Sequence, residues 1–291
     1  NAELYSRYGN ELEGLAEKNN CGLFYGACFG GIPVIRILSD SLQANRITSF
    51  TGILDSAYNY VLTQMTVSGK SYSDALAEAH KLGFVINDKK SAYKLSLLSR
   101  LAFHLKTEAD DVYREQIEDI DSADVAFGKK LGFVLKPLII AKNAENGVEL
   151  RIHTAFIKEG HPLASVNGNS NGIHINRGAI GGITICGNGS DATSVASAVA
   201  GDVLYYALRD NFYFNTSKCS VPKYITNLES AYYVRFSAKD RAGVLSKVSA
   251  IFNKNGVSLS EVRQESVQNY GEAALILITH KTREKTVKKV L

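Results

Sequence analysis

The chain lacks the patterns that would commit it to a metal, a disulfide framework or a membrane. Its four cysteines, Cys21, Cys28, Cys186 and Cys219, form no C-x-x-C pair, and no histidine sits at ligand spacing beside them. That spacing argues against structural zinc and against a disulfide scaffold, so no metal site is expected and a reducing, cytoplasmic setting is the default. No run of about 18 apolar residues occurs, so no membrane-spanning helix is expected. Charge of one sign is also scarce. The net charge is +4 over 291 residues, with acids interspersed among the lysines and arginines. A nucleic-acid partner needs a clustered basic face, and none is expected here. The basic ending "KTREKTVKKVL" reads as the solvated face of a last helix. No G-x-G-x-x-G follows a strand, so this chain by itself cannot build a dinucleotide fold. The opening "NAELYSRYGNELEGLAEKNN" is polar and acidic, without the apolar core of a signal peptide. It starts without Met, and the chain stops inside a helical pattern, so both ends read as cut.

What is present is a globular chain of two domains' length. Hydrophobic residues make up 45% and charged residues 21%, enough apolar content for a core and too little charge for disorder. In the opening segment Leu4, Tyr8, Leu12 and Leu15 suggest a half-buried helix. "CGLFYGACFGGIPVIRIL" reads as a strand, a glycine turn and a second apolar segment from Pro33. "YSDALAEAHKLGF" is an amphipathic helix with Ser73 as expected N-cap and Gly83 after its last turn. "SAYKLSLLSRLAFHL" is a more apolar helix, with Leu95, Leu98, Leu101 and Ala102 inward. "GVELRIHTAFI", "GIHINRG" and "GGITICG" are short strands between glycine and asparagine turns. "DATSVASAVAGDVLYYALR" is a helix whose small residues permit close packing. Cys28 and Cys186 have no activating base nearby in sequence and read as small buried hydrophobes.

One junction poses a question. In "ITSFTGILDSAYNYVLTQM", Ile47, Phe50, Ile53 and Leu54 suit a buried strand, and Ala57, Tyr58, Val61, Leu62 and Met65 then recur at helical spacing. Between them lies Asp55-Ser56-Ala57. Asp55 or Ser56 is a natural helix cap. The same junction could instead cradle a substrate on free backbone N–H groups.

Towards the C-terminus, "YYVRFSAKDRAGVLSKVSAIFNKNGVSLSEVRQ" resembles the ACT domain, a small amino-acid-sensing module. The resemblance rests on Asp240, Ala242-Gly243-Val244-Leu245, Ile251-Phe252 and Asn255-Gly256-Val257-Ser258. It implies a small amino acid, threonine-like, docked at Asp240, Gly243, Val244 and Leu245, where Gly243 lets backbone approach and a helix start offers N–H groups. The bland reading is that Asp240 only caps that helix. ACT domains commonly pair edge to edge, so the resemblance also implies a homo-oligomer.

The preceding region resembles the catalytic region of homoserine dehydrogenase. "NELEGLAEKNN", "GGIPVIR", "LQANRITSFTGIL", "NYVLTQM", "AEAHKLGF", "AYKLSLLSRLAF", "HPLASVNG" and "ASAVAGDV" occur in the family's order and spacing, and together they span most of the chain. The resemblance implies NAD(P)-dependent interconversion of aspartate semialdehyde and homoserine. It places the family's Rossmann domain upstream of residue 1. It assigns Lys94 the catalytic role, Gly52, Asp55, Ser56 and Asp88 to the substrate, and Gly187 and Gly189 to a loop facing the cofactor.

Several motif positions depart from the family. Asp55-Ser56-Ala57 replaces Asn-Gly-Thr, and an acid there would repel a carboxylate and occupy the helix start itself. Asn1-Ala2 replaces an Asn-Lys pair with a catalytic lysine. Tyr25-Gly26-Ala27-Cys28 replaces Glu-Ala-x-Val, a turn next to a monovalent cation. "VINDKKSAYKL" stands where the family has Ala-Glu-x-Asp-Pro and the start of the next helix, with Lys90 where an Asp is expected and Asp88 as a possible substitute. Asp191 ends the loop Gly187-Asn188-Gly189-Ser190, where an acid disfavours a phosphate or a nicotinamide site.

The expected fold is α+β: a mixed sheet covered by helices on one face over residues 1–210, a linker over 211–230, and a ferredoxin-like ACT domain over 231–291, cut at its C-terminus. Two functions are compatible with these residues. One is a homoserine dehydrogenase with ACT-type regulation. The other is a catalytically inactive relative that senses an amino acid or acts through assembly.

Overall fold

The structure, a computed structural model, describes residues 1–115, 120–189, 191–208, 219–266 and 272–291. It divides into two compact units, Asn1–Tyr224 and Ile225–Leu291.

The first unit is α+β, as expected. Its strands are β1 (Ser49–Ile53), β2 (Tyr113–Arg114), β3 (Phe133–Ala144), β4 (Gly147–Lys158), β5 (Ser170–Asn176) and β6 (Gly182–Asn188). They form one sheet in the order β2-β4-β3-β1-β5-β6, with β2–β4 parallel and every other pair antiparallel. The helical elements are α1 (Ala2–Lys18), the single turn α2 (Val34–Arg36), α3 (Ser56–Ser68), α4 (Tyr72–Lys81), α5 (Asp88–Phe103), α6 (Ser122–Lys130) and α7 (Ala192–Ala207). Strand alternation decides which face the helices cover. Phe50, Ile139, Ala141, Val148, Leu150, Ile173 and Ile175 point one way and pack with Ala92, Leu95, Leu97 and Leu98 of α5. Val61, Leu62 and Met65 of α3 meet Ala75 and Ala79 of α4, Val125 of α6 and Leu135 in a second cluster. On the opposite face Ile53, Leu138 and Ile140 pack under Leu163 and Val166 of the β4–β5 connection, with Ala155 and Ile157 of β4 beside them. β3 and β4 pair through Ala144 opposite Gly147, so a two-residue turn closes the longest hairpin.

Several local expectations need correcting. Leu4, Tyr8 and Leu15 of α1 are each about half exposed, and the buried face is Tyr5, Gly9 and Ala16. Residues 21–25 join no strand; a 3-10 turn, Gly26–Phe29, comes after them. The glycine turn after it docks on the sheet instead, Gly31 N donating to the Asn188 and Gly189 carbonyls at the end of β6. The cap of α4 is Ser71, whose hydroxyl accepts from Asp74 N at 3.2 Å, and not Ser73. Cys186 is exposed on β6, whereas Cys28 is partly buried against the main core. Gly83, in the left-handed region at φ 84°, follows α4.

Much of the stretch expected as a linker lies outside the described residues. Within it, Ser220 and Tyr224 make bridges to Leu105 and Val148 of the first unit.

In the second unit, β8 (Tyr233–Lys239), β9 (Leu259–Ser266) and β10 (Glu272–Thr279) form an antiparallel sheet in the order β8-β10-β9. Helices α8 (Val244–Lys254) and α9 (Glu284–Val290) accompany it, and the short strands β7 (Glu229–Ser230) and β11 (Thr282–Arg283) pair with each other. Val234, Phe252, Val257, Leu275, Leu277 and Val287 form its core. Lys288 of α9 bridges to Glu284, in keeping with a solvated basic face.

Candidate functional site

The junction of β1 and α3 carries the densest polar chemistry in the first unit. The question it raised is answered in favour of the cap. Asp55 Oδ1 accepts hydrogen bonds from Ala57 N at 3.1 Å and Tyr58 N at 3.2 Å. Its second oxygen accepts from Ser91 Oγ of α5 at 3.3 Å. An aspartate caps here because the first turn of α3 has N–H groups with no intrahelical partner, and a carboxylate satisfies two of them with favourable charge.

Lys94 reaches the same junction from α5. It is 1% exposed and lies on the buried side of α5. Its Nζ donates to the Leu54 carbonyl at 2.6 Å, one residue before the cap, and lies 5.9 Å from the centroid of the Phe29 ring. Burial pulls its pKa down to about 8, with Lys90 pushing the same way and Asp55 and Cys28 opposing. An ammonium has three N–H donors, and the Leu54 carbonyl takes one. A buried amine with its pKa lowered to about 8, and with no second hydrogen-bond acceptor among the described residues, suits proton transfer to or from a small oxygen substrate.

The other sequence candidates fall into three places. Ser56 is buried at the first position of α3. Gly52 is mid-strand in β1, where an added Cβ would meet the Gly172 carbonyl oxygen and Ile139 at 3.3 Å. Asp88 opens α5, and its side chain lies outside the described residues. Gly187 and Gly189 stand at the end of β6. Gly189 comes close to the cap: a Cβ on it would fall 2.1 Å from the Asn169 carbonyl oxygen and 2.7 Å from Ser56 Oγ. Asp191 caps α7, accepting from Ser194 N at 2.9 Å and from Ser194 Oγ at 2.5 Å, and the Ser194 hydrogen bonds hold its carboxyl below the usual range. Lys94, Asp55, Ser56 and Gly189 thus converge, while Asp240, Gly243, Val244 and Leu245 belong to the other unit.

There, the expected cap is corrected. Gly243 is the N-cap of α8, at φ 88°, and makes no side-chain cap bond. Asp240 instead accepts from Gln264 Nε2 of β9 at 2.7 Å.

Sequence reasoning missed two features. The first is Asn59, fully buried, whose Nδ2 donates to the Gly168 and Ser170 carbonyls at 3.1 Å each. The second is the group around Tyr25. Its hydroxyl oxygen lies 3.1 Å from that of Tyr5, whose single O–H proton goes to Glu13, which pairs with Arg100 of α5 at 2.5 Å. Burial pushes Tyr25 up to about 12. Tyr5, Glu13 and Tyr25 border a cavity of about 630 Å³ that also meets Gly30, Arg36, Asp202 and Tyr205. Lys94 and Asp55 do not line it. A spacing of four positions from Asp55 to Asn59 puts both on one helix face, a usable signal. Nothing local to Tyr5 announces Tyr25.

Comparison with known proteins places these features. The homoserine dehydrogenase family model matches residues 33–204, and the ACT domain model matches residues 232–291. A homoserine dehydrogenase of Helicobacter pylori is 35% identical over 297 residues, covering 99% of this chain and 70% of that protein. One from Neisseria gonorrhoeae is 32% identical over 310 residues, covering 100% of this chain and 71% of that protein. The crystal structure of a homoserine dehydrogenase from Thiobacillus denitrificans superposes with a TM-score of 0.89 at 31% identity, covering 100% of this chain and 70% of that one.

Proposed function

The chain belongs to the homoserine dehydrogenase family, with an ACT domain over residues 232–291, and from that premise we propose that the complete gene product is catalytically competent. The reaction is the interconversion of L-aspartate 4-semialdehyde and L-homoserine, with NAD(P) as hydride carrier and Lys94 as the proton-transfer group. The observation that carries this reading is the buried Lys94 ammonium at the β1–α3 junction.

The residues present suit one end of the cofactor. A Cβ at Gly187 would meet Ile32 at 3.3 Å, so the turn offers backbone and an apolar floor to a flat ring. The start of α7 is taken by the Asp191 carboxylate and has no place for a phosphate. The nicotinamide, when bound, gives or takes the hydride. Lys94 does the rest of the reacting-atom chemistry: its ammonium donates to the aldehyde oxygen in reduction, and its neutral amine takes the hydroxyl proton in oxidation. Asp55 stays a cap, and its charge raises the fraction of Lys94 that is protonated. Gly52, Ser56 and Asp88 complete the substrate side in this reading. At the second unit, a threonine-like amino acid is the proposed effector, its carboxylate at the start of α8, where Gly243 makes no side-chain cap bond, and its ammonium towards Asp240. Pairing of ACT domains into a homo-oligomer and a cytoplasmic location accompany this reading. Among the described residues no helix is long and apolar enough to cross a membrane.

The deciding experiment follows NAD(P) reduction with homoserine by the complete gene product, with Lys94→Ala as control. Turnover that Lys94→Ala removes supports the enzyme. A folded wild-type protein without turnover supports the inactive, amino-acid-sensing relative instead.

A further inference from the structure

Lys136 has no part in the chemistry above, yet it is buried as deeply as Lys94. It sits in the middle of β3, 1% exposed, and its alternate neighbours Leu138 and Ile140 pack with Ile53, Leu163 and Val166. Burial is the cause that lowers its pKa to about 8. Its ammonium donates to the Val166 carbonyl and to Asn167 Oδ1, both at 2.6 Å. Those two acceptors belong to the segment that leads into β5.

The same segment is held from the other side by α3. Asn59 Nδ2 donates to the Gly168 and Ser170 carbonyls. Gly168 N donates to Thr63 Oγ1 at 3.0 Å, and the Thr63 hydroxyl donates to the Asn59 carbonyl at 2.6 Å. Residues 166–170 are therefore gripped between strand and helix. Their outer edge buttresses the end of β6, where the Asn169 carbonyl leaves no room for a Cβ on Gly189. Gly189 in turn accepts from Gly31 N at 3.3 Å. Moving residues 166–170 moves Gly189, and with it the contacts to Ser56 and Gly31.

We propose that Lys136 is a positioning residue: by holding residues 166–170 from the sheet side, it sets the height of the Gly187–Gly189 turn, and so the seat of the nicotinamide ring. An apolar side chain of equal length would fill the space but leave the Val166 carbonyl and the Asn167 amide oxygen without this donor. The inference rests on the reading of that turn as the cofactor-facing one.

The test uses the complete gene product with Lys136→Met, and with Asn167→Ala as a second variant. Asn167 is exposed, so its loss does not hollow the core. Two quantities are read: amide hydrogen exchange at Gly31 and Gly168 without cofactor, and KM for NAD(P) beside kcat and KM for homoserine. The expected result is exchange faster by about tenfold at both glycines, with the β3–β4 ladder unchanged. KM for NAD(P) rises by about tenfold while KM for homoserine holds. Unchanged exchange at Gly31, or loss of protection spread evenly through β1, β3 and β4, overturns the proposal. So does a cofactor KM indifferent to both variants. Should Lys136→Met not fold, Asn167→Ala decides by the same criteria. The exchange readout needs no turnover: a folded wild-type protein without turnover refutes the enzyme reading and with it the nicotinamide seat, while exchange at Gly31 and Gly168 separately decides whether Lys136 holds residues 166–170 and the end of β6.

Discussion

Lys94 and Asp55 form an electrostatic pair without touching. Lys94 takes its hydrogen bond from the backbone of Leu54 and its compensating charge from Asp55. With a pKa near 8, Lys94 loses its proton across the mildly alkaline range. Homoserine oxidation, which needs the neutral amine, should rise as pH climbs through about 8; reduction of the semialdehyde, which needs the ammonium, should fall over the same interval. Rates measured in both directions across that range check this, and parallel profiles would refute it. Asp55→Asn keeps a cap oxygen for Ala57 and Tyr58 but removes the anion that raises the lysine. The acid limb of the oxidation profile should therefore move to lower pH, with stability changed by less than about 1 kcal/mol. A pH–rate series on that variant reads the shift. Lys94→Ala should cut turnover by about a hundredfold or more. At this scale the sequence was half legible. Asp55 before an apolar helical run announces a cap, because helix starts demand one wherever they occur. Lys136 announces little: in "FVLKPLII" it is one polar residue in a strand, and only the distant Val166–Asn167 segment turns it inward.

The tightest constraint between elements is the contact of Gly30 with Gly189. Gly30 lies at φ 67°, and a Cβ there would fall 2.1 Å from the Gly189 carbonyl oxygen, a backbone atom that cannot swing aside. Gly30→Ala should destabilise the protein by about 2 kcal/mol or more, from left-handed strain plus the collision. Urea unfolding of the variant measures it, and a change under about 0.5 kcal/mol would show that the turn relocates at little cost. Helix α1 illustrates why such pairings escape the sequence. Its apolar residues form two overlapping stripes, Leu4-Tyr8-Leu15 and Tyr5-Leu12-Ala16, and periodicity permits either. The second is chosen because Tyr5 stacks with Tyr25 at 3.9 Å and Glu13 pairs with Arg100. Those partners lie in other elements, so no window along α1 contains the decision. Strands β4, β5 and β6 were legible for the opposite reason, because their glycine and asparagine turns are local, whereas β2 and β3 were not marked by the sequence reading.

Across the whole molecule the buried amines leave a signature in stability. The folded chain holds Lys94 and Lys136 near pKa 8, below the ordinary lysine value of 10.5. Between those values the unfolded chain binds more protons, so stability should increase as pH rises from about 8 towards 10. The ceiling is about 1.4 kcal/mol per pH unit for each lysine. Above 10 the gain should reverse, because Tyr5, Tyr25 and Tyr224 are held protonated by burial in the fold and ionise more readily once unfolded. Chemical denaturation at a series of pH values checks the curve, and a midpoint that declines steadily from pH 8 would contradict it. The β3–β4 hairpin carries a consequence of another kind. Twelve residues pair with twelve through a turn of two, whereas β1, β5 and α5 reach β3 only by closing loops of dozens of residues. Loop closure must precede the reward of distant contacts. The hairpin is thus the cheapest nucleus for the first unit, and it supplies the template on which β1 docks. Truncations at Leu138 or Leu150 should slow folding more than they hasten unfolding, and their counterparts in β5 and β6 the reverse. The first unit would then be assembled from its middle strands outward.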